Sequence, residues 1–208
     1  MTGLDEAFAG LVKARTLSYD DVLKTHGILF SAVYPWAGQD RTQTAPKLTI
    51  KKGPVIFANA PEIRAAVEFA LHKGQDEDYL KAKPGEIMGY FAYGHPFLDG
   101  NGRTIMTVHS VLAQRAGFSI DWSATKKDVY LDALTKEIET PLKGYLDAYL
   151  KPFMRDPIDH EQLATAIVQA PGLDGSVQDA ALIQVLGNTE DPAVKAQYEA
   201  MLTKRKSI

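Results

Sequence analysis

Apolar side chains recur at the three- and four-residue spacing of an amphipathic α-helix along most of this chain, and this periodicity constrains its fold more than any other feature. Proline and glycine stand between the periodic segments, where they favour helix ends and turns. The pattern predicts a mostly α-helical fold. The segments that carry it are 18–33, 61–71, 85–93, 101–115, 126–139 and 141–150.

One stretch, 47–57, has the pattern of a β-hairpin instead. Leu48 and Ile50 alternate with polar residues, the Lys-Lys-Gly-Pro sequence at 51–54 supplies a turn, and 55–57 form the returning strand. A lone hairpin is only marginally stable in water. The sequence therefore predicts one hairpin inserted among helices and supported by them.

The tail from residue 156 differs from the rest of the chain. It has one aromatic residue, Tyr198, and a loop-like break at 171–175. Helices are predicted at 161–169, 177–186 and 193–204. We therefore divide the chain into a core at 1–155 and a small C-terminal helical appendage at 156–208.

Composition excludes several functions. The chain has 208 residues and no cysteine, so disulfides, cysteine zinc sites and thiol nucleophiles are absent. Its formal charge of −3 gives no overall positive field, and direct nucleic-acid binding is not expected. The start lacks the features of a secretory leader, and no run reaches the roughly 18 apolar residues of a membrane span. These features predict a cytoplasmic protein without a membrane segment, and leave export by a specialised secretion system open.

The loop between the two central helical segments, His-Pro-Phe-Leu-Asp-Gly-Asn-Gly-Arg at 95–103, contains several residues suited to phosphate chemistry. Gly100 and Gly102 allow the backbone to approach a ligand closely. They precede a helix whose first N–H groups and positive dipole end attract anions. Arg103 adds a planar donor for phosphate oxygens.

Two further residues of the loop complete this set. Asp99 can hold Mg²⁺, which uses one or two carboxylates together with substrate phosphates. His95 can accept a proton from an attacking hydroxyl. Each fragment alone also fits a structural role, since a histidine before proline often ends a helix and Asp-Gly-Asn-Gly favours a turn. An EF-hand is excluded, because Ser110 stands where its twelfth-position glutamate would be.

The complete loop resembles the signature HPFx(D/E)GNGRxxR of the Fic ("filamentation induced by cAMP") family, and every specified position from His95 to Arg103 matches. The segment 34–41 resembles the family's WAG-x-x-R element, and the hairpin 47–57 lies where the family carries a flap that positions its target. The resemblance covers roughly residues 15–150 and leaves the tail out.

The resemblance implies a Fic-type helical fold and transfer of AMP from ATP to a Ser, Thr or Tyr hydroxyl of a target protein. It assigns His95 as the general base and Asp99 as the ligand of Mg²⁺. Asn101, Gly102 and Arg103 would cradle the phosphates, and Gly100 would keep the backbone cradle open.

The same resemblance assigns the flap to target binding, by addition of a strand to its edge. The candidate residues are Thr49, Ile50, Lys51, Lys52, Val55, Ile56 and Phe57.

One position departs from the signature, because Met106 stands where the family has its final arginine. That arginine contacts the γ-phosphate and pairs with the glutamate of an inhibitory helix. The inhibitory pattern (S/T)xxxE(G/N) is also missing from the sequence. We expect a changed hold on the γ end of ATP or a different nucleotide donor. Restraint of a toxin or effector would come from a separate antitoxin chain or from the tail.

Other functions remain open at this point. The same scaffold could carry out phosphorylation, as in the related Doc toxins, or transfer UMP or phosphocholine, with His95 as base in each case. The chain could also be a catalytically inactive nucleotide-binding module, which Met106 favours. The presence of both His95 and Asp99 favours an enzyme, because a pure binder needs neither a base nor a metal ligand.

Overall fold

The computed structural model describes residues 3–168, 170 and 184–206. Helices dominate, which confirms the predicted mostly α fold. The helices are α1 (Gly3–Lys13), α2 (Tyr19–Phe30), α3 (Arg41–Thr44), α4 (Ala60–Gly74), α5 (Glu77–Ala82), α6 (Pro84–Gly94), α7 (Asn101–Arg115), α8 (Lys127–Glu139), α9 (Tyr145–Leu150), α10 (His160–Val168) and α11 (Pro192–Lys206), with 3₁₀ turns at Trp122–Ala124 and Lys151–Phe153.

Local signals in the sequence set several helix ends. The Asp21 carboxylate accepts the backbone N–H of Ser18 at 2.9 Å and closes the first turn of α2. After α7, Gly117 adopts the left-handed conformation with φ 81°, as expected of a residue that ends a helix. The predicted helix at 101–115 is found with the same bounds.

Helices α6 and α7 lie at the centre of the molecule and carry the candidate loop between them. Most residues of both helices are buried, including Ile87, Phe91, Val108 and Leu112. Around this pair the other core helices bury one apolar face each. The loop is thus fixed at both ends by the best-packed part of the fold.

The predicted hairpin is present as β1 (Leu48–Lys52) and β2 (Val55–Ile56). It belongs to a three-stranded sheet in the order β2-β1-β5, because β5 (Gln184–Asn188) pairs antiparallel with β1. A second, two-stranded sheet joins β3 (Ser119–Ile120) to β4 (Met154–Arg155). The expectation that 47–57 is the one strand-forming stretch was therefore wrong.

The tail combines helices with this added strand. Leu163 and Ile167 of α10 are buried in the core, and α11 buries Val194 and Tyr198. The predicted helix at 177–186 is wrong for 184–186, which form part of β5, while 177–183 lie outside the described residues. In the part of the chain that the structure describes, no helix is long and apolar enough to cross a bilayer.

Candidate active site

The loop begins where α6 is forced to end. His95 adopts the left-handed conformation, with φ 41° and ψ 58°, which is uncommon for a residue with a side chain. Pro96 follows it and disfavours the helical conformation at the preceding residue. The predicted helix end at His95 is confirmed, and the sharp turn directs the chain across the head of α7.

Asn101 closes the loop on itself. Its side-chain oxygen accepts the N–H of Phe97 at 2.9 Å, and its amide donates to the carbonyl of Phe97 at 2.7 Å. Phe97 is fully buried and anchors the loop in the core. The Asn101 side chain thus shapes the loop, and its backbone N–H is the group that remains to contact a phosphate.

Gly100 allows the close approach of the loop to α2. It is left-handed with φ 76°, and a Cβ built on it would lie 2.6 Å from Cε2 of Phe30. Only glycine fits such a position without a shift of its surroundings. Gly100 therefore leads the chain into the first turn of α7, where the initial N–H groups have no partner within the helix.

The side chain of His95 is suited to accept a proton. Its ring stacks on Phe57 of the flap with centroids 3.8 Å apart. Burial, and then the charges of Arg41 and Lys52, lower the pKa of His95 well below the ordinary value of 6.5, so the ring is neutral at pH 7. A backbone hydrogen bond with Ala92 occupies Nδ1, while Nε2 is buried without a hydrogen-bond partner among the described residues. Nε2 thus carries an unused lone pair.

Arg41 links the loop to the residue that follows the flap. Its side chain is fully buried, and it donates from Nε to the carbonyl of His95 at 2.8 Å and from a terminal nitrogen to the carbonyl of Ala58 at 2.6 Å. Its backbone N–H also donates to the carbonyl of Pro96 at 2.7 Å. The arginine of the WAG-x-x-R element therefore holds the backbone at His95 and Pro96.

Asp99 is exposed at the open side of the loop. One carboxylate oxygen accepts the N–H of Gly100 at 2.7 Å, and the other accepts the hydroxyl of Tyr34 at 2.5 Å. That hydrogen bond, together with desolvation, raises the pKa of Tyr34 to about 12. Both oxygens are thus oriented by short contacts, and the carboxylate remains accessible from solvent.

His26 supports Asp99 from the side of α2. Its Nε2 lies 3.1 Å from the carbonyl of Asp99, and its Nδ1 accepts the N–H of Gly38 at 2.9 Å. The proton is therefore on Nε2, since Nδ1 is an acceptor. The ring also stacks on Phe97 at 3.7 Å. Desolvation lowers the pKa of His26, in keeping with a neutral ring.

The sequence analysis assigns no role to His26. Its partners Gly38 and Asp99 lie 12 and 73 residues away, so no local motif could indicate the contact. Tyr34 was included only as part of the segment 34–41. Its position directly before the WAG-x-x-R element was the one available signal.

Gly102 and Arg103 are the last two residues of the loop, and they lie in the first turn of α7. Gly102 is exposed, and the Arg103 guanidinium lies 5.6 Å from the centroid of the Phe30 ring. The charge of Arg103 also reaches the Tyr34 hydroxyl, where it opposes the rise in the pKa. Arg103, Tyr34 and Asp99 therefore border the same open side of the loop.

The flap residues fall into two groups. Lys51, Lys52 and Ile56 are at least partly exposed. The side chains of Thr49, Ile50, Val55 and Phe57 are buried. A target segment could therefore contact this second group only through the backbone, and the predicted role of the flap in target binding stays a prediction.

Met106 lies about one helical turn after Arg103 in α7, and its side chain is only 4% exposed. Its side chain packs in the hydrophobic core and offers no donor to a phosphate. The site otherwise fits a magnesium nucleotide, since the exposed Asp99 carboxylate lies beside the N–H groups at the head of α7. No cluster of three metal-binding side chains occurs in the described residues, so a cation would depend on substrate phosphates for further ligands.

The comparison with protein families agrees with this geometry. Residues 16–113 match the family model "Fic/DOC family", and this segment contains the flap, α6, the loop and most of α7. Residues 16–113, just under half of the chain, are therefore similar to a Fic/DOC domain.

Two curated relatives are similar to this domain. The chain is 34% identical over 111 residues, 52% of its length, to "Protein adenylyltransferase VbhT" of Bartonella schoenbuchensis. It is 27% identical over 126 residues, 56% of its length, to "Probable protein adenylyltransferase y4lH" of Sinorhizobium fredii. The match spans 23% of the first relative and 63% of the second, less than two thirds of either.

Solved structures share the fold. The BepC effector protein of Bartonella tribocorum, with bound AMPPNP, superposes with a TM-score of 0.61 at 16% identity, covering 75% of this chain and 84% of that one. The N-terminal Fic domain of a VirB-translocated Bep effector of Bartonella quintana, with bound ADP, also gives 0.61 at 18% identity, covering 76% and 86%. At these identities the likeness extends to the fold alone.

Proposed function

We propose that this chain is a protein adenylyltransferase that transfers AMP from ATP to a Ser, Thr or Tyr hydroxyl of a target protein. The observation that carries the proposal is the state of His95. Its ring is neutral, its Nε2 has no hydrogen-bond partner among the described residues, and the loop that begins at His95 leads into the N-terminus of α7, which suits an anion.

In this reaction the target hydroxyl gives its proton to Nε2 of His95, and its oxygen forms a bond to the α-phosphorus. The bond from the α-phosphorus to the oxygen bridging to the β-phosphate breaks, and pyrophosphate leaves with that electron pair. Because Nε2 is buried against Phe57, the flap has to shift before the hydroxyl can reach it.

The phosphates would be held by the backbone N–H groups of Asn101, Gly102 and Arg103 and by the Arg103 side chain. Charge stabilisation of this kind supplies most of the catalysis in phosphoryl and nucleotidyl transfer. Asp99 would hold Mg²⁺, which neutralises phosphate charge when it is bound. The short hydrogen bonds from Tyr34 and Gly100 fix the orientation of that carboxylate.

The relatives support this reaction over its alternatives. Both curated relatives are named as protein adenylyltransferases, and two neighbours in fold were solved with AMPPNP or ADP. Phosphorylation, UMP transfer and a role as an inactive nucleotide-binding module remain the alternatives. Action as a toxin or translocated effector, and restraint by a separate antitoxin chain, are further predictions of the same proposal.

Met106 bears on the choice of donor. A buried methionine cannot bind the γ-phosphate as an arginine would. The affinity for the nucleotide therefore depends on contacts to the α- and β-phosphates. The bond that breaks in AMP transfer lies between these two phosphates. We expect ATP and ADP to bind with similar affinity, as calorimetry can measure.

The test uses ATP labelled on the α- or the γ-phosphate, with Mg²⁺, in a cell lysate. His95→Ala removes the base, and His72→Ala serves as a matched control because His72 is exposed on α4, outside the site. AMP transfer predicts protein label from α-ATP only, lost in His95→Ala and kept in His72→Ala. Label from γ-ATP only would mean phosphorylation, whereas absence of label from either form of ATP would mean another donor, as in UMP transfer, or an inactive module.

A further inference from the structure

The tail places a strand on the flap. One edge of β1 pairs with β2, and the other pairs with β5 in an antiparallel register that sets Leu48 opposite Asn188 and Lys51 opposite Gln184. The register shifts between Thr49 and Ile50, which marks a bulge. Both hydrogen-bonding edges of β1 are therefore occupied, and the edge away from β2 is occupied by the chain itself.

The tail also forms hydrogen bonds at both ends of the hairpin. Before β1, the N–H of Thr189 donates to the carbonyl of Lys47 at 2.9 Å. After β2, the N–H of Asn59 donates to the hydroxyl of Tyr198 at 3.0 Å, and that hydroxyl donates to Glu62 at 2.9 Å. Tyr198 is buried, so these bonds are shielded from water. Strand β5 and helix α11 thus hold the flap as one unit.

The outer edge of β2 is a poorer place for an extended segment. Val55 and Ile56 face a small pocket that is also lined by Ile138 of α8 and Met201 of α11. These helices stand beside the short strand and restrict access to its edge. Two pairing positions therefore remain for a segment that joins the sheet. One is the outer edge of β5, and the other is the edge of β1 to which β5 is now paired.

Strand spacing decides between these two places. Neighbouring strands lie about 4.8 Å apart, so a segment on the outer edge of β5 would be one strand farther from the hairpin that carries Phe57. Phe57 is the residue that stacks on His95. Because a general base needs the hydroxyl within hydrogen-bond reach, the edge of β1 is the better docking position.

We propose that β5 is an internal competitor for the target segment, bound to the edge of β1 that the target has to use. Its sequence, Gln-Val-Leu-Gly-Asn at 184–188, contains no hydroxyl, and Thr189 pairs only at Lys47, before β1 begins, whereas Phe57 pairs at Ile50, so the strand beside Phe57 can pair with the flap but cannot accept AMP. The partner that displaces it is an extended segment with a Ser, Thr or Tyr. This inference rests on the proposed AMP transfer and adds how access to that site is controlled.

The competition reduces the apparent affinity for the target. The target binds the fraction of molecules in which β5 has left β1, and its apparent dissociation constant rises by the inverse of that fraction. Releasing β5 should therefore increase modification of targets present below saturation, whereas fixing β5 in place should abolish it. ATP binding should change in neither case, because the phosphate-binding loop lies outside the sheet.

The release variant is Val185→Pro/Leu186→Pro. Successive N–H groups of a strand point to opposite edges, so one of the two prolines removes a donor that faces β1 in any register. The matched control, Val185→Ile/Leu186→Ile, keeps both N–H groups, has β-branched side chains that suit a strand, and adds no hydroxyl. The side chain of Val185 is 58% exposed, so the control loses little packing. Hydrogen exchange at residues 48–51 reports directly whether the edge has opened.

With α-labelled ATP in lysate, the proline variant should label protein roughly tenfold faster than the control. Equal labelling by both, with faster exchange at 48–51 in the proline variant, would overturn the inference while leaving AMP transfer intact. Absence of α-label from every variant would instead overturn the AMP transfer and this inference with it.

A second variant fixes the strand. Leu48→Cys/Asn188→Cys places the molecule's two thiols opposite each other, at a pair outside the candidate target-binding residues, since the chain has no other cysteine. The oxidised form should lose at least nine tenths of its target labelling and regain it on reduction, with ATP binding unchanged throughout. Full labelling by the oxidised form would also overturn the inference.

Discussion

Gly100→Ala tests whether the loop 95–103 depends on its close approach to α2. The new methyl group would meet Cε2 of Phe30 at 2.6 Å and Cζ at 2.8 Å. Phe30 has little room to move, because it is buried and packed beside His26 and Tyr34. The substitution therefore adds a collision to the unfavourable left-handed backbone.

Gly117→Ala supplies the matched control. Gly117 has φ 81°, close to the φ 76° of Gly100, but its Cβ would meet nothing nearer than the mobile end of Lys81 at 3.9 Å. Both substitutions incur about 1–2 kcal/mol for the left-handed conformation. Gly100→Ala adds overpacking of about 1–3 kcal/mol. The effect on the unfolded chain is the same for both and cancels.

We therefore expect the free energy of unfolding of Gly100→Ala to be about 2 kcal/mol below that of Gly117→Ala, a difference of about 4–8 °C in Tm for a chain of this size. Thermal denaturation measures it. Adding Phe30→Leu should relieve the collision, so the double variant should lose less stability than the sum of the two single changes. Equal Tm values for the two alanine variants, or strictly additive effects with Phe30→Leu, would refute the reasoning.

Three further predictions concern ionisable groups. Arg41→Lys leaves at least one of the carbonyls of His95 and Ala58 unsatisfied, and should lower the free energy of unfolding by about 2 kcal/mol in denaturant titration; an unchanged midpoint would contradict this. Because the pKa of His95 is lowered, transfer of α-label should be independent of pH from 8 down to its ordinary 6.5 and fall only below it; a decline centred at 6.5 or above would count against His95 as the base. Burial raises the pKa of Glu137 above its ordinary 4.5, so the folded state holds that proton more tightly; the contribution of Glu137 to stability should be greatest below pH 4.5 and be lost as pH rises through the folded pKa. Glu137→Gln should lose this decline in Tm, and identical pH profiles would argue against it.

Much of the core could be predicted because its signals are local. Helical periodicity located α7 to the residue, and the proline after His95 located the end of α6. The loop could be interpreted because its histidine, carboxylate, glycines and arginine lie within nine consecutive residues. The left-handed conformation of Gly100 and the burial of Phe97 follow from the same local sequence.

The parts that could not be predicted depend on contacts between distant residues. Strand β5 is short and contains a glycine, and its partner β1 lies more than 130 residues earlier in the chain. The bond from His26 to Asp99 spans 73 residues and has no sequence signature. Burial of Thr49 in the flap likewise follows from its bond to Asn59 and from packing on the core, which alternation alone does not specify.

The two hydrogen bonds between the Asn101 side chain and the backbone of Phe97 have a consequence for how quickly and how strongly a nucleotide associates. The loop is held in shape by its own residues, so its conformational entropy is lost during folding and not during association. Binding should therefore proceed without rearrangement of 95–103, and structures with and without nucleotide should superpose closely there. The heat of binding would then report the contacts to the phosphates themselves, undiminished by the ordering of a disordered loop.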